Sequence, residues 1–350
     1  MLREWRNPVE QSWRGGRVRP ILAPPPGAEA ASAGAPATFS AIVAAYEAAA
    51  YIGDAIESLL AQTLPPIEII VCDDGSRDDL DGALEPYLDR IILLRKENGG
   101  EASAKNLAAR AASGEFVAIL DADDVYYAER IEAFTELSAH RPDLDILTSD
   151  CLIVSGGRTV RNCYSGGYRF ETGDQRKGIL ERNFVGPGHM AVRRERLLAV
   201  GGFDEAFRHA TDWDCWIRLI FSGSRAGMVD QPLAEYRVRE TSLASNRIRQ
   251  FQGYVAVLEK AAARPDLVPE ERAVANASLA LQRRRLAVQE AWAALLAGAP
   301  EARRNVARIA LDRRFPARTR LLAALVAGLP RSAGRRVARA RRELAGGVPS

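Results

Sequence analysis

The chain reads as an α/β protein, a mostly parallel sheet flanked by helices with a helical appendage behind it, and three observations predict this. Short apolar runs rich in β-branched residues alternate with helical periodicity from residue 39 to about residue 238, as a parallel sheet with crossover helices requires. Two of those runs, residues 67–72 and 117–120, stop at carboxylates: Asp73 and Asp74, then Asp121, Asp123 and Asp124. After about residue 246 the pattern changes to helices rich in alanine and arginine.

The segments follow in order. Residues 1–37 mix arginines and tryptophans, pass through Pro24-Pro25-Pro26-Gly27 and lack sustained periodicity, so a flexible extension without a cleavable apolar core is expected. Ile52, Ile56, Leu59 and Leu60 give the first helix its buried face, and residues 91–94 form another strand. Residues 164–182 show no clear periodicity, and Gly166-Gly167 suggests a mobile loop. Trp213, Trp216, Ile217, Ile220 and Phe221 fall on one helical stripe, most simply a core face. Helices are expected over 247–263 and 269–297, with shorter ones beyond. Residues 321–329 are apolar but far shorter than the roughly 20 residues that span a bilayer. Six arginines between 331 and 342 follow, so this region suits either contact with an anionic membrane or a solvated bundle packing on the main domain or a second subunit.

Side chains two apart on a strand face the same way, so Asp121 and Asp123 can share a ligand, and carboxylates suit hard cations such as Mg²⁺ or Mn²⁺. Alone, this pattern is more often an acidic turn capping the next helix. Asp73 and Asp74 strengthen it, because ligands of open parallel sheets bind outside the carboxyl ends of the strands. Between the two acidic ends, Gly99 and Gly100 open a helix whose backbone N–H groups suit an anion, and Lys105 could reach a phosphate or base. No Walker-type loop and no Gly-x-Gly-x-x-Gly fingerprint occurs, which argues against P-loop enzymes and dinucleotide oxidoreductases.

Taken together, Ser40-Ala41-Ile42-Val43-Ala44-Ala45-Tyr46-Glu47, Ile69-Ile70-Val71-Cys72-Asp73-Asp74-Gly75-Ser76, Glu97-Asn98-Gly99-Gly100, Lys105-Asn106 and Leu120-Asp121-Ala122-Asp123-Asp124 resemble the successive motifs of family 2 glycosyltransferases. The match runs over about residues 38–135, and Gly201-Gly202-Phe203-Asp204 with Thr211-Asp212-Trp213-Asp214 resembles the family's acceptor-side segment. The resemblance implies a GT-A fold, a Rossmann-like mostly parallel sheet, with a catalytic domain over 38–245 and a helical, arginine-rich region over 246–350. It implies an inverting enzyme that uses a nucleoside-diphosphate sugar, UDP-linked by preference, and a divalent metal cofactor. Asp212 would be the catalytic base, and Asp121 and Asp123 the metal ligands. Donor binding would fall to Ala44, Tyr46, Glu47, Asp73, Asp74, Gly99, Gly100, Lys105, Asp121, Ala122 and Arg239, with Asp73 and Asp74 at the nucleobase and ribose.

Three departures bear on these roles. Thr211 stands where glutamate is usual before the base. Ala44-Ala45-Tyr46-Glu47 replaces a Pro-x-Tyr-Asn strand end, which removes a fixed φ and adds a charge. Arg239 occupies the place of a histidine that joins the metal shell in some members, and an arginine pairs with phosphate rather than metal.

Composition fits an enzyme of the cytoplasm, with 350 residues, 47% hydrophobic and 27% charged. A net charge of +3 points to no nucleic-acid partner. The four cysteines lack zinc or disulfide spacing, and His140, His189 and His209 form no ligand pattern, although the turn holding His189 could border the acceptor site. Expected partners are the donor and a glycan, lipid-linked or protein acceptor, with the oligomeric state open. A catalytically degenerate nucleotide-sugar binder and, behind it, a sugar nucleotidyltransferase are the alternatives.

Overall fold

A computed structural model describes residues 35–164, 168–186, 189–238, 247–329 and Arg336. Its strands are β1 (Phe39–Ala45), β2 (Glu68–Asp73), β3 (Ile92–Arg95), β4 (Phe116–Asp121), β5 (Val125–Tyr126), β6 (Ile146–Ser155), β7 (Arg158–Asn162), β8 (Ala191–Arg193) and β9 (Ala226–Val238). The helices are α1 (Ile52–Leu60), α2 (Leu80–Leu84), α3 (Glu101–Ala111), α4 (Arg130–His140), α5 (Gln175–Glu181), α6 (Arg194–Ala199), α7 (Thr211–Phe221), α8 (Arg247–Ala262), α9 (Pro269–Ala297), α10 (Ala302–Leu311) and α11 (Ala317–Gly328).

One sheet holds all these strands in the order β3-β2-β1-β4-β8-β6-β9-β5, with β7 paired to β6. The first four are parallel, as the apolar runs predict. The other half is mixed, because β8 runs antiparallel to both β4 and β6 while β6 and β9 are parallel. Alternate residues of the parallel strands feed two cores. Ile42, Ile70, Val117 and Ile119 pack with α3 and α7, whereas Ala41, Val43, Val71 and Leu120 pack with α1 and α4.

Ile52, Ile56 and Leu59 are buried on α1, with Leu60 only half-buried at its end. The segment read as a loop over 164–182 contains α5, a helix too short to show periodicity, which starts where the Asp174 carboxylate accepts from Lys177 N at 3.1 Å. Gly166 and Gly167 lie outside the described residues, as do residues 1–34 and the basic tail apart from Arg336.

The region after 246 is not uniform. Val257, Leu258, Ala261, Ala275 and Leu279 of α8 and the front of α9 belong to the same core as Trp213 and Trp216. Val288, Trp292 and Leu295, further along α9, instead form a separate core with Val306, Ile309, Phe315 and Val326. No helix among the described residues is long and apolar enough to cross a membrane.

Candidate active site

The strand register brings the acidic ends together. Ala44 at the end of β1 sits opposite Asp121 of β4 on one side and Cys72 of β2 on the other, and Ala45 faces Asp73. This is the topological switch of the sheet, since β2 and β4 leave β1 on opposite sides. Asp121 and Asp123 are half-buried and so reach the crevice, with Ala122 buried between them. Among the described residues no group of three or more His, Cys, Asp and Glu side chains converges as a metal cage. Two carboxylates at an open edge still fit Mg²⁺ or Mn²⁺, which take one or two protein carboxylates and fill the rest of their shell with water and substrate phosphate.

Lys105, on the second turn of α3, is buried and reaches inward rather than toward a donor phosphate. Its Nζ donates to Asp121 Oδ1 at 2.7 Å and to Glu101. Burial disfavours its charge, but Asp121 and Glu101 outweigh that cost and raise its pKa above the usual lysine range. The lysine therefore braces the Asp121 carboxylate, where a reach for phosphate or base was expected.

Asp74, Gly99 and Gly100 also depart from expectation. Asp74 is 2% exposed. Its carboxylate accepts from Gly99 N at 2.9 Å, Gly100 N at 2.7 Å and Lys96 Nζ at 2.7 Å. The two glycine N–H groups expected to meet an anion are thus satisfied inside the protein, and Asp74 holds the turn before α3 instead of facing ribose. Asp73 remains half-buried at the crevice, with Oδ1 accepting from Ser76 N at 2.8 Å. Glu47 is exposed and accepts from Arg77 N at 3.0 Å, and its own N–H donates to Ser76 Oγ at 3.1 Å, so it laces the β1 and β2 loops together. Tyr46 beside it is exposed. Arg239 lies outside the described residues.

Asp212 and Asp214 lie in the first turn of α7. Asp212, its second residue, is half-buried, and burial pushes its carboxyl up to about 6. The Trp213 N–H and Asn183 Nδ2, the latter 2.9 Å from Asp212 Oδ2, pull the other way. The charges of Glu101 and Lys105 on α3 also act on Asp212, and Lys105 in turn bonds Asp121. Asp214 serves a different purpose. It is buried and pairs with Arg218 at 2.7 Å and Lys260 of α8 at 2.7 Å, tying α7 to α8.

Backbone strain falls beside two of the candidate segments. Among the described residues, the non-glycine positive φ angles are those of Glu47 (50°), at the β1 exit, and Ala210 (59°), immediately before α7. Each is a left-handed conformation disfavoured by a Cβ, the kind of strain that recurs where a site overrides local preference.

Sequence reasoning overlooked three features. Asn183 carries no motif of its own. Asp124 is buried and bonds His189 Nε2 at 2.6 Å, and its other oxygen accepts from Arg237 N at 2.6 Å. His189 is therefore a buried structural residue that supports the turn after β4. Asn106 grips Phe203 through both its amide atoms, at 2.8 and 2.7 Å. Asp124, the His189 turn and the Lys105-Asn106 pair had a sequence signal, though not for these bonds, and Asn183 had none.

Comparison with known proteins gives the family and the fold. The glycosyl transferase family 2 model matches residues 40–201. An uncharacterized glycosyltransferase of Rickettsia typhi is 31% identical over 227 residues, covering 62% of this chain and 69% of that protein. The Escherichia coli UDP-Glc:alpha-D-GlcNAc-diphosphoundecaprenol beta-1,3-glucosyltransferase WfgD is 28% identical over 219 residues, 61% of this chain and 82% of its own length. The mannosyltransferase PcManGT from Pyrobaculum calidifontis, solved with GDP-Man and Mn²⁺, superposes with a TM-score of 0.58 at 23% identity, covering 94% of this chain and 91% of its own. That likeness shows the fold alone, which is GT-A. The chain belongs to glycosyltransferase family 2 and is a transferase enzyme.

Proposed function

We propose that this glycosyltransferase moves a sugar, with inversion at the anomeric carbon, from a nucleoside-diphosphate sugar to a hydroxyl acceptor in cell-surface polysaccharide assembly. The observation that carries the reading is Asp212, a half-buried carboxylate with its pKa raised to about 6, held by Asn183 and facing Glu101 and Lys105 across the crevice from Asp121. A base with that pKa is ionised at neutral pH yet more basic than an ordinary aspartate, so it is matched to taking a proton from an attacking hydroxyl, worth roughly 10²- to 10⁴-fold in rate. Asp121 and Asp123 would hold Mg²⁺ or Mn²⁺. The cation would supply charge neutralisation at the departing diphosphate. Lys105 keeps Asp121 oriented through its hydrogen bond, and Asp73 offers an acceptor to donor hydroxyls or base N–H groups. With Asp212 on the acceptor side, direct displacement from the face opposite the diphosphate gives inversion.

The donor class is supported by the relatives: the name of WfgD specifies UDP-Glc, and PcManGT was solved with GDP-Man and Mn²⁺. A UDP-sugar is our preferred donor. WfgD is named for a lipid-linked acceptor, and a membrane-borne acceptor for this enzyme is consistent with its C-terminal helices. Leu311, Leu321 and Leu325 are exposed there, and Asp312 is the one acid among seven arginines between residues 302 and 329. We read this surface as a peripheral contact with an anionic membrane on the cytoplasmic face.

The test is nucleoside-diphosphate release across UDP-, GDP- and dTDP-sugars with Mg²⁺ or Mn²⁺, comparing wild type with Asp123→Ala and Asp212→Asn, and NMR of the product anomer. Metal-dependent release of one diphosphate, lost in both variants, with an inverted product supports the reading. Donor binding without turnover in the presence of a broad acceptor mixture, or a retained anomer, overturns it.

A further inference from the structure

We infer that Asn183 is the positioning residue of the transfer reaction, holding the Asp212 carboxylate in the orientation from which it accepts the proton of the incoming hydroxyl. The inference rests on the reading of Asp212 as the base. Asn183 Nδ2 lies 2.9 Å from Asp212 Oδ2 and 3.5 Å from the Gly186 carbonyl, so both amide hydrogens have acceptors. A carboxylate only accepts, which fixes the amide's orientation and turns Oδ1 away. That Oδ1 is buried without a hydrogen-bond partner among the described residues. An unmade hydrogen bond at a buried carbonyl costs stability, so the amide is poorly explained as a folding element and well explained as an orienting one.

The backbone around Asn183 is anchored from three directions. Its segment leaves α5, whose Ile179 carbonyl accepts from Trp213 Nε1 of α7 at 2.7 Å and whose Glu181 carbonyl accepts from Ser278 Oγ of α9 at 2.7 Å. The Tyr164 hydroxyl lies 2.8 Å from the Phe184 carbonyl and 2.7 Å from that of Val185. Phe184 and Val185 are themselves fully buried. A side chain mounted on such a base has little freedom, and a preorganised partner is what a catalytic carboxylate one step removed from it needs.

Other groups set the charge of Asp212 as well. Glu101 and Lys105 face it from α3, Tyr254 from α8 and Tyr168, with Arg182 nearby, from the chain flanking α5, while Cys215 and the Trp213 N–H lie on its own helix. Of these, the Asn183 amide and the Trp213 N–H are the hydrogen-bond donors to the carboxylate. Each stabilises the ionised form, so removing the amide moves the titration to higher pH.

The experiment is a pH profile of kcat and of donor KM for wild type, Asn183→Ala and Asn183→Asp, with Asp212→Asn alongside. Asn183→Ala is expected to lower kcat by about 10- to 100-fold with donor KM nearly unchanged and to move the acid limb up by about one pH unit. Asn183→Asp, which places a second carboxylate against the first, is expected to move it further, since two such groups do not ionise independently. This near-isosteric variant keeps the test if Asn183→Ala does not fold. A loss of kcat with the acid limb unmoved in either variant, or a matching rise in donor KM, assigns Asn183 a merely structural role and overturns the inference. If Asp212→Asn retains full activity, the reading of Asp212 fails first and the inference with it, an outcome distinguishable from the other.

Discussion

Lys105 Nζ lies 2.7 Å from Asp121 Oδ1 while also bonding Glu101, and its side chain is 3% exposed. One buried cation therefore joins the end of β4 to the first turn of α3. Its raised pKa contributes stability that is complete below the unfolded lysine value and disappears only as pH rises through the higher folded value, so no loss arises between pH 5 and 9.

Lys105→Met removes that cation and leaves Asp121 and Glu101 facing each other. Because both carboxylates retain some solvent, the expected loss is about 2 kcal/mol, below the roughly 3 to 5 kcal/mol of breaking a fully buried pair. Urea unfolding at pH 7.5 checks it, and an unchanged midpoint would contradict the assignment of Lys105 as a brace.

Asp212→Asn should abolish most activity while stabilising the fold at alkaline pH. A carboxyl whose folded pKa is raised to about 6 gives stability that is present below the unfolded value of about 3.9 and lost as pH rises through 6. The wild type alone carries this loss, so the variant's advantage in Tm should be absent at pH 4 and present at pH 8. In the wild type, kcat should fall as pH drops below about 6, where the base takes up its proton. Equal Tm values at pH 8 would argue that the carboxylate is better solvated than its position indicates.

Gly202→Ala should be severely destabilising. Gly202 has a φ of +71°, and a Cβ there would lie 2.3 Å from Asn106 Oδ1. Asn106 cannot retreat without dropping the Phe203 N–H it accepts at 2.7 Å. The combined strain and lost bond predict about 2 to 4 kcal/mol, read as a lowered Tm or loss of soluble protein. A variant of wild-type Tm would mean that the Asn106 clamp is soft.

Asp123→Ala and treatment with a chelator should act alike, each lowering diphosphate release by at least about 100-fold if charge stabilisation at the leaving group is lost. Restoration by Mn²⁺ or Mg²⁺ is expected for the chelated wild type and not for the variant. Full activity in chelator would remove the cation from the proposed chemistry.

Leu321 and Leu325, 71% and 60% exposed, share one face of α11 and touch no core. Leu321→Ser with Leu325→Ser should leave Tm within about 1 °C, as solvent-side changes do, and weaken co-sedimentation with phosphatidylglycerol vesicles severalfold. Equal binding to neutral vesicles, or none in the wild type, would count against the membrane contact.

Much of the fold is legible in the sequence. Period and composition located the parallel strands, the apolar face of α1, the Trp213 stripe and the limits of α8 and α9, because each depends on residues close in sequence. α5 was missed, since seven residues carry too little periodicity, and the antiparallel β8 is a three-residue strand whose direction is set only by its neighbours. At the candidate site, the sequence singles out Asp121, Asp123 and Asp212 by motif, and the proposed roles rest on them. The functions of their companions are not legible there, because partner choice depends on chain segments far apart: Asp74 meets Gly99 and Gly100, and Lys105 turns to Asp121 instead of a phosphate.

What the sequence determined by itself was the α/β class, the acidic strand ends and the family, all properties of local pattern and motif order. What only the tertiary structure decided was which carboxylates face the crevice and which are spent inside the protein. A hydrogen bond is settled by distances of a few ångströms between atoms that lie, for Asn183 and Asp212, 29 residues apart in the chain. Burial, which lifts the Asp212 carboxyl toward 6, likewise comes from elements packed around α7 and from nothing in the residues beside it.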